Sequence, residues 1–159
     1  MKNRPAGYIE GDVFKTVIEN TPLVSVDLIV KDRGRVLLGR RVNRPAQGKW
    51  FTPGGRVLKN EMISSAIARI AKTELGAEPA SAPKFIGVFE HLYDDGIFDH
   101  VSTHYLNLAY EAELSGLEGL PEEQHDDYRW FTLGELMASD AVHDYVKDYF
   151  TEQKGTVPQ

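Results

Sequence analysis

The chain contains no cysteine, so neither a disulfide framework nor a thiolate metal site can form. No apolar run approaches the length needed to cross a bilayer, and the opening MKNRPAGYIEGD lacks the apolar core of a signal peptide. Basic residues are in deficit, 18 Lys and Arg against 24 Asp and Glu, giving a net charge of −6. A chain so balanced is poorly suited to the phosphate backbone of DNA or RNA, although locally gathered basic groups can still hold a small anion. Internal repeats and low-complexity linkers are also missing. These absences describe a cytoplasmic protein with no nucleic-acid or membrane partner. What is present is ordinary globular composition: 159 residues, 42% hydrophobic, enough for one domain over residues 1–159 with its own core.

Periodicity gives the elements. Asp12 is placed to cap a short helix through Val13, Val17 and Ile18 that ends near Pro22. LVSVDLIV then alternates: Val24, Val26, Leu28 and Val30 share one face, and Leu23, Ser25, Asp27 and Ile29 the other. KDRG predicts a turn into a second strand, RVLLGRR, hence a hairpin. A polar loop, NRPAQGKW, leads to the Pro53-Gly54-Gly55 turn and a helix over Glu61–Leu75. EPASAP reads as loop, FIGVFEHLY and VSTHYLNLAYEAEL as strands about a DDGIFDH turn, and SGLEGLPEEQHDD as a long acidic loop. A short strand, YRWFT, precedes one or two closing helices. Strands on both sides of a helix predict an α+β fold with a mixed sheet.

On the central helix Ile63, Ile67, Ile70 and Glu74 form one stripe. A carboxylate facing a core is costly unless it is paired or binds metal, although at a helix end it can also bend to water. The flanks add a longer pattern: Gly55, five residues, Glu61, seven residues, Arg69, then Glu74 and Gly76. This spacing resembles the Nudix box, G-x5-E-x7-R-E-U-x-E-E-x-G-U, with Ala71 and Ala77 in the aliphatic places. Ile70 and Thr73 stand where the usual box has glutamates. The resemblance implies a mixed sheet packed between helices, an α/β/α sandwich. It also implies Mg²⁺, or Mn²⁺, as cofactor.

TPLVSVD, GRRVNRPAQGKWF, PGGRV and EQHDDYRW look like the GDP-mannose mannosyl hydrolase branch of that family, over about Thr21 to Phe131. That branch lacks the same box acids. It cuts the glycosyl carbon–oxygen bond with inversion instead of the phosphoanhydride. A nucleoside diphosphate leaves readily once its charge is neutralised, so no acid need protonate it; what remains is a base to activate water. By this resemblance Arg41 and Arg56 contact phosphate, His125 is the general base, and Gly54, Glu74 and Gln124 hold the metal. Asp27, Tyr105 and His91 contact substrate, while Glu61 and Arg69 brace the box.

The residues alone leave other readings open. Arg40, Arg41 and Arg44 could solvate a strand end, Asp27 could be an exposed strand carboxylate, and Tyr105 a core tyrosine. Asp126 and Asp127 could orient His125 or be loop charges. Trp50, Phe51 and Phe89 could stack on a base but suit a core equally. Likewise open are a conventional pyrophosphatase giving a nucleoside monophosphate and sugar 1-phosphate, and a binding module without catalysis. Branch members are homodimers, which implies the same state here.

Overall fold

The computed structural model describes residues 7–117 and 125–151, with 125–127 described by backbone alone. Helix α1 (Gly11–Asn20) leads into β1 (Leu23–Asp32). The cap of α1 is Glu10, and Asp12 lies inside the first turn, where its charge faces the helix's positive end. The sequence places the cap two residues late.

The hairpin forms as expected. Strand β2 (Arg35–Arg41) follows a turn whose residues Arg33 and Gly34 both have positive φ, 49° and 75°, the signs a two-residue type I′ hairpin requires. The two strands stay paired only at Lys31–Val36 and Asp32–Arg35. Beyond that point β1 exchanges β2 for β4 (Gly54–Arg56), through Ser25–Arg56, Val26–Gly55 and Asp27–Gly54. Strand β2 turns to β3 (Trp50–Phe51) on one side and to β9 (His125–Thr132) on the other. On its far edge β1 runs parallel to β7 (Thr103–Ala112), which pairs antiparallel with β6 (Lys84–Tyr93). The result is a mixed sheet in the order β3-β2-β1-β7-β6, with β4 and β9 as branches.

The alternation along β1 divides the core in two. Val26, Leu28 and Val30 pack against helix α2 (Ile63–Leu75) through Ile67, Ile70, Ala71 and Leu75. Ile29 faces the other way, with Leu38, Phe51, Phe89 and Phe131, under the closing helices α3 (Leu133–Ala138) and α4 (Asp144–Asp148). Helix α3 starts at a capping box: the Thr132 hydroxyl accepts from the Glu135 N–H while the Glu135 carboxylate accepts from the Thr132 N–H. A third small cluster joins Phe14, Val17 and Ile18 of α1 to Leu23, Phe98, Val101 and Tyr105. The stretch EPASAP contributes a two-residue strand, β5 (Glu78–Pro79), paired with β8 (Leu114–Ser115). No described helix is long and apolar enough to cross a membrane.

Candidate active site

One cleft opens where β1 changes partners. Its lining includes Asp27, Arg41, Gly54, Arg56, His91 and Tyr105, six of the nine site residues expected from sequence. Gln124 lies outside the described residues. The acidic loop ends earlier than expected: His125 opens β9, and its backbone pairs with that of Arg41, so this position adjoins the cleft's arginine strand.

Asp27 is almost wholly buried on the β1 face opposite the valines, not exposed on a strand. Its Oδ2 accepts from the Thr52 hydroxyl at 3.0 Å and, by a very short bond, from the Tyr149 hydroxyl. Burial pushes its carboxyl above the ordinary range, and the donors Tyr149, Asn107 and Thr52 oppose that shift. The backbone bonds from Leu28 N to Pro53 O and from Val57 N to Val24 O make Asp27–Gly54 a non-hydrogen-bonded pair. Such pairs approach closely. A Cβ on Gly54 would strike the Asp27 carboxylate and lie 2.7 Å from the Val26 carbonyl, so only glycine fits. The same geometry turns the Gly54 carbonyl away from β1, toward the open edge.

The two arginines are held alike. Arg41 donates through Nε to the Pro45 carbonyl at 2.8 Å and lies over the Phe51 ring at 5.9 Å. Arg56 donates through Nη2 to the Gly7 carbonyl at 3.0 Å and lies over the Phe14 ring at 5.1 Å. A carbonyl and an aromatic face fix a guanidinium without neutralising it, which leaves its charge for an anion.

His91 is 2% exposed. Its ring stacks on Tyr145 at 4.3 Å and 3° from parallel, and Nε2 lies 3.4 Å from the Tyr149 hydroxyl. Burial, with His143 nearby, pushes its pKa down to about 4, so the ring is neutral at pH 7. Tyr105 and Tyr93 both line the cleft, and burial raises both phenols, which keeps them protonated as donors.

Helix α2 starts at Ile63, two residues later than the sequence predicts, and Glu61 in the loop before it forms with Arg69 on the helix the brace expected of them. Arg69 donates to both Glu61 oxygens, at 2.6 and 2.9 Å, and to the Arg56 carbonyl at 2.9 Å; Glu61 also accepts from the Leu58 N–H. Ile70 is 1% exposed and packs beneath Gly55, so its box position has become core. Thr73 faces outward. Glu74 is 8% exposed, one helical turn beyond Ile70, with the Tyr128 hydroxyl donating to its backbone carbonyl at 3.2 Å. It is not part of the lining shared by Arg41 and Arg56.

Among the described residues no group of three His, Asp or Glu gathers as a metal cluster. A carboxylate and a main-chain carbonyl, the donor types of Glu74 and Gly54, are the chemistry that suits an Mg²⁺ that keeps waters and takes substrate phosphate oxygens. They do not fit a multi-carboxylate site.

Four polar lining residues escaped the sequence reading: Ser25, Thr52, Tyr93 and Asn107. Ser25 was legible in principle, as the second polar residue on the Asp27 face of β1. Asn107 is paired in register with Ser25, and its Nδ2 donates to the Ser25 hydroxyl at 3.0 Å. Its Oδ1 has no partner among the described residues. Tyr149 gave no signal, because it meets Asp27 across 122 residues of chain.

A mixed sheet between helices, with a glycine-bearing edge strand leading to a helix braced by Glu61 and Arg69 beside an arginine-walled cleft, defines an α/β/α sandwich. The NUDIX domain matches residues 21–152, and the chain belongs to that family. It is 38% identical over 148 residues to the low-salt glycan biosynthesis protein Agl8 of Haloferax volcanii, covering 92% of each chain. It is 27% identical over 135 residues to an ADP-ribose pyrophosphatase of Methanocaldococcus jannaschii, covering 84% of this chain and 76% of that one. A MutT NUDIX hydrolase from Burkholderia pseudomallei superposes with a TM-score of 0.69 at 23% identity, over 82% of this chain and 96% of that one, a likeness of fold.

Proposed function

We propose that the chain hydrolyses GDP-mannose, or GDP-glucose, to GDP and the free sugar, with water attacking the anomeric carbon and inverting it. The observation that carries this reading is Ile70, packed beneath Gly55 where the usual box has an acid. A helix stripped of that carboxylate suits a reaction whose leaving group needs charge neutralisation more than it needs a water activated at phosphorus. Two guanidiniums in one cleft, neither in a carboxylate ion pair among the described residues, support the same reading.

In this mechanism Arg41 and Arg56 grip the diphosphate oxygens and Tyr105 donates to them. Asp27 and the neutral His91 hold the sugar. His125 takes a proton from water as its oxygen bonds to the anomeric carbon and the carbon–oxygen bond to the diphosphate breaks. GDP leaves as the anion. Glu74, Gly54 and Gln124 would hold Mg²⁺, which supplies further positive charge to the diphosphate. The chain acts as one domain, as a cytoplasmic homodimer, on nucleotide sugars destined for glycans. The Haloferax relative, a glycan biosynthesis protein by name, supports the link to glycans.

A second reading, hydrolysis of the phosphoanhydride of a nucleotide sugar, draws support from the ADP-ribose pyrophosphatase relative. Hydrolysis of GDP-mannose with Mg²⁺ in ¹⁸O-labelled water separates the two. Label in free mannose beside unlabelled GDP is expected. Label in a phosphate product, with GMP and mannose 1-phosphate, would establish the second reading. Tight binding without turnover would leave a nucleotide-sugar binding module.

A further inference from the structure

The family match begins at residue 21, yet the segment before it reaches the cleft. Arg56 belongs to the matched domain, but both groups that fix its guanidinium do not. The Gly7 carbonyl accepts from Nη2 at 3.0 Å, and the Phe14 ring lies beneath Cζ at 5.1 Å. Each anchor is itself seated. Gly7 lies against the Leu58 side chain so closely that a Cβ there would come within 2.8 Å of Leu58 Cδ1. Phe14 meets Phe98 edge-on, with centroids 6.3 Å apart, in the cluster that also holds Ile18, Val101 and Tyr105. Arg44, beside the loop that carries Pro45, pairs with Asp99 at 2.8 Å, next to Phe98. The seats of Arg41 and Arg56 are thus joined through the loop at 94–102.

We propose that the N-terminal segment 7–20 is a positioning element for Arg56, with Phe14 as its principal residue, and that it sets the cleft's affinity for a diphosphate group. The physical reason is the nature of the anchors. A free arginine on a strand edge must lose rotamer freedom when it grips an anion, and a carboxylate partner would remove that cost only by cancelling the charge. An aromatic face and a carbonyl remove it while leaving the charge in place. The inference rests on the reading of the cleft as a diphosphate site, so its test separates the two.

The affinities of the full chain for GDP and for inorganic pyrophosphate, both with Mg²⁺, are measured by calorimetry for the wild type, Phe14→Leu, Phe14→Tyr, Arg56→Gln and the Phe14→Leu/Arg56→Gln double variant. Leucine keeps the apolar bulk of this half-buried site, and melting curves monitor the fold. Phe14→Leu is expected to weaken both ligands about 3- to 10-fold, as loss of a cation–π seat implies. Phe14→Tyr should bind as the wild type does, and Phe14→Leu should have no further effect once Arg56 is glutamine. Equal loss in the presence and absence of Arg56 would overturn the proposal, because Phe14 would then act through Tyr105 or the fold. So would a leucine variant that binds normally, or a tyrosine variant as weak as the leucine one. A wild type that binds neither probe would instead remove the diphosphate reading, and this inference with it.

Discussion

Tyr149, the residue that closes helix α4, donates its hydroxyl to Asp27 on the floor of the cleft. The last described helix is thereby tied to the buried acid of the cleft. Donors favour an ionised carboxylate, and burial opposes it; for Asp27 burial prevails, and its carboxyl stays above the ordinary range. Ionising Asp27 therefore costs stability as pH rises upward from the ordinary carboxyl range. Tyr149→Phe should steepen that loss. Expected is a deficit of about 1.5–3 kcal/mol where Asp27 is ionised, the usual worth of a hydrogen bond to a charged group, shrinking in acid. Urea unfolding of both proteins across that range checks it, and a constant deficit would mean the bond does not depend on the charge of Asp27.

His91 works in the opposite sense. Its folded pKa of about 4 lies below its ordinary value of 6.5, so on acidification the unfolded chain takes the proton first. Stability present at pH 7 is lost as pH falls from 6.5 toward 4, to a limit of about 3 kcal/mol at 1.36 kcal/mol per pKa unit. His91→Phe keeps a ring against Tyr145 and cannot charge. Its melting temperature should change less between pH 7 and 4.5 than that of the wild type. Parallel curves would show that other groups govern the acid limb.

Restoring an acid to the box should not restore the usual chemistry. Ile70→Glu would put a carboxylate at a 1% exposed position beneath Gly55, among Val26, Leu28 and Ala66. An unpaired charge there should cost about 3–5 kcal/mol and yield no pyrophosphatase activity. Denaturant titration and assay for GMP give the two readouts. A stable variant that released GMP would mean the position still belongs to the site.

His125→Gln should lower kcat by about 10²–10⁴-fold if this residue is the base, with the affinity for GDP kept. Glu74→Gln should instead shift the Mg²⁺ activation curve sharply to higher concentration. A His125 variant with a near-normal rate would transfer the base elsewhere. An unmoved Mg²⁺ curve would exclude Glu74 from metal binding.

Local patterns were the legible part of this fold. The alternation on β1 set Val26, Leu28 and Val30 against Ser25, Asp27 and Ile29, and the structure keeps those two faces. The spacing from Gly55 to Gly76 marked the helix and its Glu61–Arg69 brace, whereas the turn expected at Gly54-Gly55 is strand β4, extended because it pairs with β1. The Thr132–Glu135 capping box was equally readable, but α3 was not assigned from it. Periodicity could not supply partnership. The parallel alignment of Leu23 with Tyr105, which gathers Ser25 and Asn107, depends on the whole sheet. For Asp27 the pattern alone leaves site acid and exposed strand carboxylate open, because its burial comes from Tyr149 and Thr52, remote in sequence. The position of His125 as a strand residue opposite Arg41 depends on β2 leaving β1, which no local signal announces.

That departure has a consequence for how the site can change over time. Because β1 is claimed by β2 at Lys31–Asp32 and by β4 at Ser25–Asp27, the gap between the diverging strands is written in main-chain hydrogen bonds. Residues projecting into it can be exchanged without closing it, whereas a shift of ladder register would abolish it. Specificity here can drift residue by residue while the vessel keeps its shape.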